Sequence, residues 1–153
     1  MSSAGGGTDR TALLLELSRA FGSLTEIGDL LPLVNARTKE ALDAESCAIM
    51  LLDEERRELY FPAASDASAE IEARFRMIRV PADRGVSGWV MREGKGTFVP
   101  DASRDVRFNP DVDRQSGAHT RSLLYAPLRT RQGILGVIGL RNKRAGTFTE
   151  DDL

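Results

Sequence analysis

The feature that most constrains this chain is a short run, Cys47-Ala-Ile-Met-Leu-Leu52, which is apolar at every position. A run this short has the length of a strand, and with no polar alternation it has no face to give to water. It reads as a strand covered on both faces, which requires a sheet with packing layers above and below. The polar segment Asp53-Glu-Glu-Arg-Arg57 then reads as a hairpin turn, and Glu58–Phe61 as the returning strand. Met77–Val80 and Thr97–Val99 read as short strands. Ser122–Leu128 and Ile134–Arg141 read as strong ones, joined by a short turn containing Gly133. Neighbouring strands joined by tight turns point to an antiparallel sheet.

The covering layers are legible as helices. Leu13, Leu14, Leu17, Ala20 and Phe21 recur at helical spacing from Asp9 onward, with Gly22 as a stop. A second helix is predicted from about Asp29 to Ala44, with Pro32 in its first turn and Leu30, Leu31, Val34, Thr38, Ala41 and Leu42 facing inward. Ser68–Phe75 and Val86–Arg92 read as short helices, the latter started at Gly85 and ended at Gly94. Residues 101–121 form a polar segment of the length that compact domains reserve for functional loops. The order of elements gives an α/β (α+β) class, a sheet with helices packed on it.

A chain of 153 residues is one ordinary domain. Its net charge of −2 gives no footprint for nucleic-acid or membrane binding. No apolar run spans a bilayer. Met1–Gly7 lacks the apolar stretch of a signal peptide, so a cytoplasmic location is expected. The single cysteine, Cys47, excludes an internal disulfide and a Cys-cluster zinc site. Residues 1–8 read as a disordered tail, and residues 9–153 as one domain. Thr149-Glu-Asp-Asp152 carries a helix-start signature, a capping Thr followed by acids. The chain stops one residue later, so the expectation is a piece of a longer protein, truncated at the start of its C-terminal helix.

Several segments in order resemble the GAF family of small-molecule sensor domains. They are Arg84-Gly-Val-Ser-Gly-Trp-Val90, Val99-Pro-Asp101, Asp105-Val-Arg-Phe-Asn109, Asp113 through Leu128, Gly136-Val-Ile-Gly-Leu-Arg-Asn-Lys143 and Phe148-Thr-Glu-Asp-Asp152. The resemblance covers about Asp9 to Leu153. It is nearest in flavour to the GAF domains of cyclic-nucleotide phosphodiesterases and of bacterial cyclases, kinases and transcription activators. It implies a central antiparallel sheet of about six strands with helices on both faces, and a ligand pocket between the sheet and the small helices and loops.

The resemblance also implies site positions. Ala48 stands where a small residue touches a bound base, and Phe61 where an aromatic stacks on it. Ser87 and Gly88 lie at a helix start suited to an anion. Ser116 and Thr120 match hydroxyl positions near the ligand. Gly139 replaces an acidic residue that reads the base in some relatives. That loss removes a purine contact and leaves space, which weighs against cyclic AMP or cyclic GMP as the ligand. Asn142 and Lys143, with Phe148 and Asp152, resemble the family's Asn-Lys…Phe…Asp-Glu motif, with Leu153 in place of the Glu. Of its two readings, support for a nucleotide pocket and a Lys143–Asp152 pair that pins the final strand to the final helix, the second is favoured.

Other residues have bland readings. His119 is the only histidine; some haem-carrying relatives use a histidine from this region, but an exposed loop histidine is the base expectation. Arg121 reads equally as an anion ligand or a tie between loops. Cys47 reads as an inert small hydrophobe, and Trp89 as packing, an anchor for the pocket lid. The expected function is a regulatory ligand-sensing domain of a bacterial-type signalling protein, acting on an absent output domain and not itself an enzyme. No nucleophile–base pair or metal constellation is visible. A haem or gas sensor on His119, and a dimerisation module with a degenerate pocket, are the alternatives. A homodimer through the terminal helices is the expected protein partner.

Overall fold

A computed structural model describes residues 24–153; the predicted tail and first helix lie outside them. Helix α1 spans Leu24–Ala41. It packs Leu31, Val34, Asn35 and Thr38 inward and leaves Leu33 exposed. It begins earlier and ends sooner than the sequence pattern suggests, and Pro32 sits in its interior, not its first turn. A proline there removes one intrahelical hydrogen bond. The inward stripe also contains a polar member, Asn35, whose amide donates to the Cys47 carbonyl at 2.8 Å. The helix stops short of Asp43, which takes a left-handed φ of 53° and turns the chain into the sheet.

Six strands follow: β1 Ala44–Asp53, β2 Glu58–Asp66, β3 Arg79–Pro81, β4 Thr97–Val99, β5 Leu123–Thr130 and β6 Gly133–Lys143. All neighbours are antiparallel, in the order β3-β2-β1-β6-β5-β4. The apolar run of β1 is thus central, with β2 on one side and β6 on the other. Its side chains alternate between two layers. Cys47 and Ile49 join Leu124, Ala126, Ile138 and Leu140 beneath Leu31 and Val34 of α1. Ala48 and Met50 join Leu59, Phe61 and Val137 on the opposite face.

The second face is covered by α2 (Ala69–Phe75) and α3 (Gly85–Glu93), through Phe75 and Val90. Ser68 caps α2 by accepting a hydrogen bond from the Ile71 amide. Gly94, at φ 70°, closes α3. β2 runs five residues past the strand expected from sequence. A bulge lies between the Ile49–Ala63 and Leu51–Tyr60 pairs, where three steps along β2 match two along β1. The extra residue flips the side-chain alternation: Leu59 and Phe61 face the α2 layer before it, and Ala64 does so after it. The 101–121 segment, expected as loop, contains a 3-10 turn at Ala102–Arg104 and a short helix, α4, at Asp111–Ser116. Among the described residues no helix is long and apolar enough to cross a membrane.

Cys47 lies fully inside the α1 layer, and burial pushes its thiol up to about 12. The thiolate is the reactive species, so native protein at neutral pH should resist alkylation by iodoacetamide, while urea-unfolded protein should take up one adduct. Intact-mass analysis after timed labelling checks this. Rapid adduct formation in the native state would contradict the packing of β1 beneath α1.

Candidate functional site

A cavity lies on the sheet face opposite α1. Its floor is built by Ala48 and Met50 of β1, Phe61 of β2, Tyr125 of β5, and Gly139 and Arg141 of β6. Phe75 closes one side, and Arg84–Ser87 at the start of α3 close another. The roof comes from the 101–121 segment through Phe108, Asn109, Val112, Asp113 and Thr120. Its volume, as room for the centres of water molecules, is about 40 Å³. At about 10–15 Å³ per water that is space for roughly three waters.

The roof is closed on itself and fastened at defined points. Its ends meet where the Ala102 amide donates to the Arg121 carbonyl at 2.7 Å. Asp113 accepts from both the Thr120 amide and the Thr120 hydroxyl, each at 2.7 Å. Arg107 grips Asp105 through two donors at 2.8 and 3.0 Å, and its guanidinium carbon lies 4.7 Å from the Trp89 ring centroid. Such a cation–π contact contributes about 1 kcal/mol. Hydrogen bonds from Arg107 hold the Asp105 carboxyl below the usual carboxylate range against the opposing effect of burial. Trp89 therefore anchors the roof as well as packing against the core.

Behind the roof, Asn142 ties it to β6. Its backbone is left-handed, φ 60°. Its Oδ1 accepts from the Arg121 and Ser122 amides at 2.7 and 3.1 Å, and its Nδ2 donates to the His119 carbonyl at 2.8 Å. The next residue, Lys143, reaches Asp152 at 2.7 Å. Asp152 also accepts from the Thr149 amide, completing a capping box for a terminal 3-10 turn, Glu150–Asp152. Burial works against the Asp152 charge, but the Lys143 hydrogen bond, the Thr149 amide and the Lys143 charge together hold its carboxyl below the usual range. Phe148, in the same motif, is buried in the α1 layer.

The residues singled out from sequence divide. Ala48, Phe61, Ser87, Thr120 and Gly139 line the cavity together. Gly88 does not: it rests against the Asp83 backbone, where a side chain would collide. Ser116 is buried outside the lining and accepts from the Ala118 amide at 3.1 Å, shaping the turn after α4. The space expected at Gly139 is not open. The Tyr125 ring fills it, with two ring carbons 2.5 and 2.8 Å from where a Cβ would stand. His119 is exposed and absent from the lining, and its carbonyl makes its contact. Arg121 turns outward and pairs with Glu45 at 2.7 Å.

Two lining residues on the sheet carry chemistry that the sequence did not flag. Tyr125 is held against Gly139, and burial pushes its phenol up to about 12. Arg141 is the other. Its side chain is 8% exposed and bonds Ser46 at 2.6 Å and Asp66 at 3.0 Å, while its guanidinium carbon lies 4.9 Å from the Phe75 ring centroid.

Residues 25–153 match the GAF domain family. The chain is 28% identical over 147 residues to the probable 3',5'-cyclic phosphodiesterase pde-5 of Caenorhabditis elegans, covering 91% of this chain and 20% of that protein. It thus spans a fifth of that relative's length. Its fold matches the GAF domain of an Acinetobacter phosphoenolpyruvate-protein phosphotransferase, with a TM-score of 0.67, 21% identity, and coverage of 97% of this chain and 84% of that one. It likewise matches the free methionine-R-sulfoxide reductase of Neisseria meningitidis in complex with its substrate, with a TM-score of 0.67, 21% identity, and coverage of 99% and 84%.

The Gly139–Tyr125 contact can be tested directly. Gly139→Ala should destabilise the fold by about 1–3 kcal/mol through overpacking. Combined with Tyr125→Leu, which removes the ring, it should cost less than the two single changes summed, a coupling that urea denaturation can measure. Strict additivity would mean that the ring does not occupy the space.

Proposed function

Because the chain belongs to the GAF domain family, we propose that it is a regulatory small-molecule sensor, not an enzyme, that modulates an output domain of a bacterial-type signalling protein. The observation that carries this reading is the cavity and its roof. Aromatic and aliphatic side chains surround it, a few polar groups converge on it, and the roof is held by a small number of polar contacts. That is the composition of a ligand site.

A route for the signal follows from the contacts. A ligand that touches Asp113 or Thr120 disturbs the segment that Asn142 holds. Asn142 precedes Lys143, which fixes the terminal turn through Asp152. A ligand shifts such an equilibrium only by its difference in affinity between roof positions. Loss of the roof contacts on binding, or their tightening, would reach the terminal turn through one short path.

Cys47 faces the side of the sheet opposite the cavity, with its thiol pushed up to about 12. Cyclic AMP or cyclic GMP is the ligand suggested by the likeness to a phosphodiesterase. Against it stands the Tyr125 ring at the Gly139 position. A homodimer through terminal helices is part of the same proposal.

Native mass spectrometry of protein purified without denaturant is the test. The reading predicts a non-covalent small-molecule adduct, or stabilisation by one compound in a metabolite screen. A ligand at a hundred times its dissociation constant adds about 2.7 kcal/mol of stability. No adduct, with no thermal shift from any metabolite including either cyclic nucleotide, would overturn the sensor reading.

A further inference from the structure

The geometry points to Arg141 as the anchor for a ligand anion, and so to a small aromatic organic acid as the ligand class; this rests on the sensor reading above. Arg141 projects from β6 into the cavity floor with its side chain 8% exposed. A guanidinium so buried is costly unless its donors are met. Nη2 spends its hydrogens on Ser46 Oγ and Asp66 Oδ2. Among the described residues, the hydrogen bonds of the Arg141 side chain to protein come from Nη2 and none from Nε or Nη1, and the residue lines the cavity. The other Asp66 oxygen is taken by the Ser68 amide at 3.0 Å.

The guanidinium is also held still. Ser46 and Asp66 fix one nitrogen, and the guanidinium carbon lies over the Phe75 ring, 4.9 Å from its centroid. A donor fixed in advance costs little to use on binding, and a charge-assisted hydrogen bond to a carboxylate is stronger than one to a neutral oxygen. Two cations, Arg84 and Arg141, line the cavity with one carboxylate, Asp113, which accepts from Thr120. Arg141 is paired with Asp66 through Nη2 alone, and Arg84 stands 4.0 Å from Asp111. Three aromatic rings stand in the lining with it, beside Ala48 and Met50: Phe61 and Phe75 are 5.2 Å apart at a tilt of 55°, and Tyr125 covers Gly139. An aromatic ring with one carboxylate matches both halves of this site.

The experiment titrates wild-type protein with benzoate, phenylacetate and 3-phenylpropionate, and with the amide of each, at millimolar concentration. The arginine Nε–H resonances are followed by NMR. The expected result is a shift of the Arg141 Nε–H with at least one acid, and affinity at least tenfold weaker for its amide, which equals about 1.4 kcal/mol. Arg141→Gln should lose that acid preference. If this variant does not fold, the acid-to-amide ratio and the wild-type Nε–H shift still decide. Amides binding as tightly as acids, or acids binding without an Arg141 shift, would overturn the anion assignment and leave the sensor reading standing. No binding by any of the acids would also overturn it; the sensor reading itself is decided by the co-purified or screened metabolite.

Discussion

One buried side-chain amide holds the working parts of this domain in register. Asn142 accepts from two successive amides, Arg121 and Ser122, and donates to the His119 carbonyl. Hydrogen bonds of this kind contribute about 1 kcal/mol each, and buried groups left without partners cost more. Asn142 adds three side-chain hydrogen bonds to the single backbone bond, from its main-chain amide to the Ser122 carbonyl at 2.8 Å, that joins the end of the roof to β6. The cavity, the start of β5 and the Lys143–Asp152 pair all lie within a few residues of it. Its left-handed backbone, φ 60°, is what aims the amide back at the 119–122 segment. Asn tolerates that conformation better than most residues because its short polar side chain bonds locally.

The sheet makes that arrangement possible. β1 and β6 are paired centrally and are buried on both faces, so each sends alternate side chains into two layers. The α1 layer is a packed core, closed by Phe148 and the inward face of α1. The other layer is left incomplete, because the small residues Ala48 and Gly139 stand opposite each other across β1 and β6. Tyr125 and the roof fill part of the gap, and Arg141 borders the remainder. The same pair of strands therefore provides rigidity on one side and an adaptable site on the other.

Much of the fold was legible because it is written in local pattern. The unbroken run Cys47–Leu52 demanded a strand covered on both faces, and Thr97–Val99 was bounded as observed. Glycines at 85 and 94 marked α3. What stayed hidden depends on distant partners. The extension of β2 runs through Pro62 and small residues with no alternation to read, because a bulge breaks the period. α4 has a single apolar residue, Val112, so no helical stripe announces it. Arg141 gave no sign of burial, since its carboxylate partner, Asp66, lies 75 positions away. Gly139 was correctly seen as a missing side chain, but only the fold shows that Tyr125 takes the space.

Asn142 holds the roof through its side chain and precedes Lys143, which fixes the terminal turn, so a disturbance of one is expected at the other. Hydrogen exchange of Asn142→Ala against wild type tests it most directly. Faster exchange is expected at the Arg121 and Ser122 amides together with faster exchange at Asp152 and Leu153, whose amides close the terminal turn, while β1 stays protected. Faster exchange confined to Arg121 and Ser122, with Asp152 and Leu153 unchanged, would contradict it.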